Sequence, residues 1–352
     1  MPQFPVFDGH NDLLFQFLMN PSQREAIWLK GQGQGHLDLP RMQKGAFVGG
    51  FFAIYVPSPH DPAAPDFESL MNSPPYHLPL PDLIDHKAAM HIAMAEAAHL
   101  RWMERSSAGQ FKVCTSGAEI RATIAKGAIA AVMHMEGAEA IDPALDALYV
   151  WHAAGLRSLG PVWSRPTVFG HGVPFKFPGD PDTGPGLTAA GKSLVKACDD
   201  LGVLLDLSHL NEKGFDDIAR LSSQPLMATH SNAHEVTQST RNLTDRQLHM
   251  IAESRGMVGL NFATVFLRPD GRKSPDMTWD PVMRHLDHLL SILGEECLGF
   301  GSDFDGATVP VGIGDVTGVQ NLAAAMLEHG FGEDLVRRIA SENWLSFLDR
   351  VL

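Results

Sequence analysis

Cysteine is scarce in this sequence, which has three among 352 residues, at positions 114, 198 and 297. An odd number of widely spaced cysteines forms neither a disulfide framework nor a thiolate zinc site. The N-terminal residues also lack the basic region and the apolar region of a secretory signal. Both features predict a protein of the cytoplasm.

Long apolar runs and clusters of basic residues are missing as well. Although 44% of the residues are hydrophobic, no run reaches the roughly 20 residues that a membrane-spanning helix needs. The formal net charge of −14 opposes phosphate groups, and no group of lysines and arginines offsets it locally. The sequence therefore predicts neither nucleic acid nor a membrane as a partner. It does not define the assembly, for which a homodimer is one expectation.

A glycine-rich dinucleotide fingerprint is absent too, since no G-x-G-x-x-G follows the first apolar segment. What the sequence does have is a regular alternation of short apolar segments with helical patterns, which predicts a parallel sheet. The segments predicted as strands are residues 4–7, 45–56, 129–135, 156–163, 203–209, 226–230, 257–262 and 298–303.

Eight strands of this kind predict an α/β fold in one domain, residues 1–352, with the chain forming a (β/α)8 barrel of the TIM type. An open doubly wound sheet is the alternative, which the missing fingerprint disfavours. Proline-rich stretches at 57–81 and 165–185 predict long inserted loops without regular structure. The segment 316–352 predicts helices that close the barrel.

Polar side chains that can bind metal lie at the ends of these strands: His10, Asp12, Glu136, His209, His230 and Asp303. In such a barrel the active site is at the C-terminal ends of the strands, so these side chains are expected to meet. Each alone has an ordinary explanation as a helix cap, a buried histidine or a turn former. Together they exceed the ligands of one structural zinc. Nitrogen and oxygen donors without thiolate suit zinc in an open catalytic site.

A set of this size can hold two metal ions about 3.5–4 Å apart when one carboxylate bridges them. Glu136 is the natural bridge, because its strand comes between the strand of His10 and Asp12 and those of the later histidines. A hydroxide shared by two cations is a nucleophile at neutral pH. The prediction is therefore two Zn²⁺ ions bridged by Glu136 and a hydroxide, with Asp303 carrying the proton.

The sequence resembles the membrane dipeptidase family of metallopeptidases, within the amidohydrolase-like barrels. The resemblance is carried by D-G-H-N-D-L at 8–13, E-G at 136–137, D-L-S-H at 206–209, T-H-S-N at 229–232, S-T-R-N at 239–242 and G-S-D-F-D-G at 301–306. It implies a binuclear zinc dipeptidase with Asp303 as the acid/base and with these metal ligands: His10, Asp12, Glu136, His209 and His230. It also implies that Arg241 binds the substrate's terminal carboxylate, which a guanidinium fork suits, and that Tyr55 lines the site.

The sequence departs from this family at two places. Trp163 stands where the fourth strand of the family usually ends in a histidine that touches the scissile group, and a tryptophan cannot act as an imidazolium. Arg165 and His171, in the loop that follows, are candidates to replace that donor. The alternative is a loop without a chemical role, with Trp163 as a specificity wall. The second departure is Glu139, in E-G-A-E where the family often has E-G-G-H.

The sequence thus predicts a binuclear zinc dipeptidase that accepts a D-residue at the C-terminal position of its substrate. Another metal-dependent amidohydrolase on the same barrel, such as a cyclic amidase, deaminase or lactonase, is the first alternative, because fold does not fix reaction. A carboxylated lysine would favour that class, and no predicted strand ends in lysine. A non-catalytic metal-binding protein is the second alternative, against which the open donor set argues.

Overall fold

The computed structural model describes residues 3–59 and 66–352. Its strands are β1 (Val6–Asn11), β2 (Phe47–Tyr55), β3 (Tyr76–His77), β4 (Phe111–Cys114), β5 (Ile129–Glu136), β6 (Leu156–Gly160), β7 (Lys176–Phe177), β8 (Leu204–Leu205), β9 (Met227–Ala228), β10 (Met257–Asn261) and β11 (Leu298–Gly301).

The α-helices among the described residues are α1 (Leu13–Met19), α2 (Arg24–Lys30), α3 (Leu39–Lys44), α4 (Phe67–Met71), α5 (His86–Ser106), α6 (Gly117–Ala125), α7 (Asp146–Ala154), α8 (Ala189–Leu201), α9 (Glu212–Leu221), α10 (Asp245–Glu253), α11 (Thr264–Leu267), α12 (Asp280–Leu293), α13 (Val319–His329), α14 (Glu333–Arg337) and α15 (Asn343–Val351). Among these same residues, no helix combines the length and the apolar character needed to cross a membrane.

Eight parallel strands form a nearly closed barrel in the order β8-β6-β5-β2-β1-β11-β10-β9. A bridge between Asp206 and Met227 joins the two ends of this order. The predicted (β/α)8 barrel and its eight strands are confirmed. The strand β4 was not predicted, because four residues give too short a pattern; it pairs with the first half of β5, while β6 pairs with the second half.

The neighbouring strands β6, β8 and β9 end earlier than the apolar pattern predicts. β8 and β9 have two residues each, so His209 and His230 lie on the loops after them rather than on the strands. His209 has a φ of 67°, a left-handed conformation that a strand excludes. β6 ends at Gly160 and therefore places Trp163 on the following loop.

The end of the barrel opposite the C-terminal strand ends is filled by α15. Trp344 of this helix is fully buried, and its indole Nε1 donates a hydrogen bond to the Phe300 carbonyl at 2.8 Å. Gly9 and Gly299 have no side chain where this ring packs, since a Cβ at either position would overlap it. The predicted C-terminal helices that close the barrel are confirmed.

The described residues of the two proline-rich loops, 57–59, 66–81 and 165–185, cover the C-terminal ends of the strands and are called the roof below. The prediction that they lack regular structure was wrong where the structure describes them, because the first contains α4 and β3 and the second contains β7. Strands β3 and β7 pair antiparallel, so the two loops hold each other in place. Residues 60–65, also part of the first predicted loop, lie outside the described residues.

Candidate active site

One carboxylate oxygen lies at the centre of the site. Glu136 Oε1, at the end of β5, is 3.0 Å from His209 Nε2 and 3.4 Å from His230 Nε2. It is also 3.5 Å from His10 Nε2 on β1. Three imidazoles from three separate strand ends therefore face one buried carboxylate, as the positions at the strand ends predict.

Three groups of donor atoms lie at this end of the barrel, each gathered within 4.8 Å. The first consists of Glu136, His209 and His230, the second of His10, Asp12 and Asp303, and the third, which lies behind them, of His10, Asp206 and His230. Asp12 Oδ2 is 3.5 Å from His10 Nε2. The arrangement offers two adjacent positions for a cation, with Glu136 beside both.

The residues present fit a pair of divalent cations. Neither ring nitrogen of His10 has a hydrogen-bond partner among the described residues, although the side chain is fully buried. Burial lowers the pKa of His10, but the carboxylates of Glu136 and Asp12 outweigh it and raise the pKa to about 10. Negative charge concentrated around unpaired ring nitrogens is the environment that a metal ion neutralises.

Residues behind the histidines fix the direction of their rings. Ser164 Oγ lies 2.8 Å from Nδ1 of His209, and Thr229 Oγ1 lies 2.8 Å from Nδ1 of His230. The Thr229 hydroxyl in turn donates to Asp206 Oδ2 at 2.6 Å. With Nδ1 engaged in this way, Nε2 of each ring points at the centre, where the two Nε2 atoms lie 3.1 Å apart beside Glu136. Supporting contacts of this kind orient metal ligands.

Two buried side chains of the barrel interior, His134 and Asp206, were not predicted as parts of the site. His134 precedes Glu136 by two residues on β5, and its Nε2 is 3.5 Å from Asp206 Oδ2. Its ring meets the His10 ring edge to face, with centroids 5.4 Å apart. The signal was present in the sequence, because residues at i and i+2 of a strand share a face.

The loop after β11 holds its carboxylates in a strained conformation. Asp303 and Asp305 have φ values of 58° and 69°, a region that aspartate tolerates better than most residues. A side chain at Gly306 would overlap the carboxylate of Asp12, so glycine is required there. Asp303 Oδ2 accepts a hydrogen bond from Asn261 Nδ2 at 2.9 Å. Burial and the neighbouring Asp12 raise the pKa of Asp303.

A cavity of about 960 Å³ opens above these groups. Its lining includes Asp12, Glu136, His209 and Asp303 together with the aromatic residues Phe15, Tyr55, Phe67, Trp163, Phe175 and Phe266. Arg241 is buried behind Phe266, with its guanidinium carbon 5.3 Å from the ring centroid. One Arg241 terminal nitrogen donates to the His230 carbonyl at 3.2 Å, whereas Nε has no partner among the described residues.

Arg165, His171 and Arg241 are not among the residues that line this cavity, so the two arginines differ in their partners rather than in their access to it. Arg165 is fully buried, and its guanidinium binds Glu139 Oε1 through Nε at 3.0 Å and through a terminal nitrogen at 2.7 Å. It also donates to Ser58 Oγ and to the Val56 carbonyl, both at 2.8 Å. Glu139, the second departure from the family pattern, is thus paired with Arg165, one of the two candidates to replace the missing histidine. Arg165 cannot turn toward a substrate without leaving Glu139 as an unpaired buried carboxylate.

Replacing Arg165 by methionine is expected to reduce stability rather than catalysis. Removing one partner of a buried ion pair costs about 3–5 kcal/mol in the free energy of unfolding. The double variant Arg165→Met/Glu139→Gln should recover most of that loss, because no charge is left unpaired. Denaturant unfolding of the two variants and the wild type measures this difference.

Arg121→Met is the matched control, because the Arg121–Asp349 pair is 45% and 40% exposed and should contribute less than about 1 kcal/mol. The folded Arg165→Met protein is expected to retain kcat within about tenfold. A larger fall in kcat at unchanged stability would assign Arg165 to the transition state instead.

Comparison with known proteins agrees with the motifs and with the barrel. The family model described as "Membrane dipeptidase (Peptidase family M19)" matches residues 1–351. The chain belongs to this family. It is accordingly a metallodipeptidase, and the family that the motifs resemble is confirmed.

Solved members of the membrane dipeptidase family have the same fold. A metallopeptidase of Rhodobacter sphaeroides, liganded with a phosphinate mimic of the dipeptide L-Ala-D-Ala, is 64% identical over 100% of both chains, with a TM-score of 0.98. A second solved metallopeptidase of family M19, a dipeptidase, is 64% identical over 99% of both chains, with a TM-score of 0.97. An uncharacterized Klebsiella pneumoniae protein from the pqqA 5′ region is 43% identical over 74% of this chain and 96% of its own length.

Proposed function

We propose that this protein hydrolyses the amide bond of small dipeptides with two Zn²⁺ ions bound at the strand ends. The observation that carries the proposal is the single oxygen of Glu136 within 3.0–3.5 Å of three imidazoles. We assign His209 and His230 to one ion, His10 and Asp12 to the other, and Glu136 to both. The donors are nitrogen and oxygen without thiolate, which suits zinc in a catalytic site.

When bound, two such ions lower the pKa of a water molecule and polarise the carbonyl group that it attacks. Proton transfer and substrate binding are carried out by side chains of the protein. Asp303 holds the proton and passes it to the leaving amine, for which its position in the cavity lining beside His10 and Asp12 is suitable. Arg241 binds the terminal carboxylate, since its Nε has no partner among the described residues and guanidinium binds carboxylate in pairs of hydrogen bonds.

The proposal also covers the stereochemistry of the substrate. The Rhodobacter sphaeroides structure holds a mimic of L-Ala-D-Ala, and we infer that this chain also accepts a D-residue at the C-terminal position. The metal-loaded protein is expected to hydrolyse L-Ala-D-Ala with a kcat/KM at least equal to that on L-Ala-L-Ala. A chelator should abolish both reactions.

A library of L-Xaa-L-Xaa and L-Xaa-D-Xaa dipeptides, with a cyclic amide and a lactone as controls, tests this proposal. The proposal is supported if amino acids are released from dipeptides while the cyclic amide and the lactone are left intact. Turnover of the cyclic amide or the lactone without turnover of any dipeptide would favour another amidohydrolase reaction.

We place the protein in the cytoplasm, because its three cysteines are all free and buried. A homodimer stays a prediction, and sedimentation of the purified protein tests it.

A further inference from the structure

Four rings form a continuous surface inside the cavity, here called the aromatic wall: Tyr55, Trp163, Phe175 and Phe266. The ring centroids of Tyr55 and Trp163 are 5.2 Å apart, and those of Trp163 and Phe175 are 5.6 Å apart. Phe175 stacks on Phe266 at 6.1 Å with an interplanar angle of 19°. The proposed metal and proton chemistry requires none of these rings.

The aromatic wall has two distinct ends. At one end Phe266 lies against Arg241, with 5.3 Å between the guanidinium carbon and the ring centroid. At the other end Tyr55 is paired in register with Glu136 across β2 and β5. His209 lies between these ends, 6.4 Å from Phe175 and 5.7 Å from Trp163 by ring centroids. The wall therefore runs from the proposed carboxylate anchor, past a proposed metal ligand, to the central carboxylate.

Under the proposed function, in which Arg241 binds the terminal carboxylate, this order predicts which part of a dipeptide meets which ring. The side chain and the carboxylate of the C-terminal residue are attached to the same Cα atom. With the carboxylate at Arg241, that side chain lies against Phe266 and Phe175. The N-terminal residue is across the scissile bond, beyond His209, and its side chain faces Trp163 and Tyr55.

We propose that Phe175 and Phe266 form a specificity subsite for a large apolar side chain on the C-terminal residue of the dipeptide. The inference rests on the proposed function and names its substrate class. The cavity, at about 960 Å³, is near the upper end of the roughly 300–1,000 Å³ typical of ligand pockets. Two alanine methyl groups are small beside four aromatic rings. In an apolar pocket each added methylene changes selectivity by about 10–200-fold.

The test is a comparison of kcat/KM on L-Ala-D-Ala, L-Ala-D-Phe and L-Phe-D-Ala. The wild type is expected to prefer L-Ala-D-Phe over L-Ala-D-Ala by about tenfold or more. In Phe175→Ala that ratio should fall at least about tenfold, mainly through KM, because a binding contact is lost. Phe175→Leu, which keeps an apolar side chain in the roof, should give an intermediate ratio and serves if the alanine variant does not fold.

Two matched variants separate the subsite from general damage to the roof. Trp163→Ala removes the next ring of the wall and is expected to reduce turnover of L-Phe-D-Ala more than that of L-Ala-D-Phe. Phe177→Ala removes a ring from the same loop that does not line the cavity, and it should leave the ratio of the three substrates as in the wild type.

An equal loss on all three substrates in Phe175→Ala would overturn the subsite, and so would wild-type turnover without side-chain preference. Both results would leave the proposed dipeptidase reaction intact. If the metal-loaded wild type hydrolysed no dipeptide, the proposed function would fail and the subsite with it.

Discussion

Replacing Glu136 by glutamine is expected to remove most of the bound metal and nearly all activity. Glutamine keeps the size of the side chain but loses the charge that faces His10, His209 and His230. Losing a residue that only supports a ligand costs about 10- to 100-fold in affinity or activity. A carboxylate shared by both ions should cost more than that in kcat/KM. Elemental analysis after zinc reconstitution should give close to two metals per chain for the wild type and one or fewer for the variant.

Glu96→Gln is the matched control for loss of a buried carboxyl group. Glu96 on α5 is fully buried, and its Oε2 accepts a hydrogen bond from the Tyr55 backbone nitrogen at 2.6 Å. Burial raises its pKa well above the usual value, so a neutral amide is a close replacement. This variant should keep two metals per chain. A wild-type content of one metal or fewer would exclude the binuclear site.

Replacing Asp303 by asparagine is expected to lower kcat by about 10²–10⁴-fold while the metal content stays unchanged. Asparagine tolerates the left-handed backbone at this position and can still accept the hydrogen bond from Asn261. It cannot carry a proton to the leaving amine. The loss should therefore appear in kcat and in kcat/KM together, as for a group that acts in the transition state.

Asp305→Asn is the matched control, because it makes the same change in the same loop at a φ of 69°. The Asp305 carboxylate accepts a hydrogen bond from the His36 backbone nitrogen at 2.6 Å, and asparagine can accept that bond too. We expect kcat within about tenfold of the wild type. If Asp303→Asn instead loses metal in parallel with turnover, Asp303 is a ligand, a role that its closeness to His10 and Asp12 also permits.

The barrel was predictable because its signal is local and repeated. Apolar segments such as 129–135 are buried on both faces of a parallel sheet, and such segments stand out in any sequence. The positions at which the strands end were harder to predict from the sequence. The left-handed φ of 67° at His209 depends on the loop around it, and no pattern of neighbouring residues gives it. The regular structure within the roof depends on pairing between two loops that are far apart in the chain.

The polar side chains of the candidate metal site were predictable from position alone, since parallel strands in a barrel all end on the same side. His134 was missed, although it shares a strand face with Glu136. Tyr55 and Trp163 were predicted to line the site, but the aromatic wall that they form with Phe175 and Phe266 could not be predicted. Tyr55, Trp163, Phe175 and Phe266 come from separate parts of the chain, and only the folded roof brings their rings to within 5.2–6.1 Å of one another.

The sequence by itself determined the barrel, the family and the six polar side chains at the strand ends. The tertiary structure alone decided the hydrogen-bond partners of Arg165 and Arg241. Arg165 follows β6 as Arg241 follows β9, yet Arg165 is bound by Glu139, Ser58 and Val56, whereas Arg241 keeps Nε without a partner among the described residues. The reason is physical: a buried guanidinium turns toward whatever acceptors surround it, and those acceptors come from other strands.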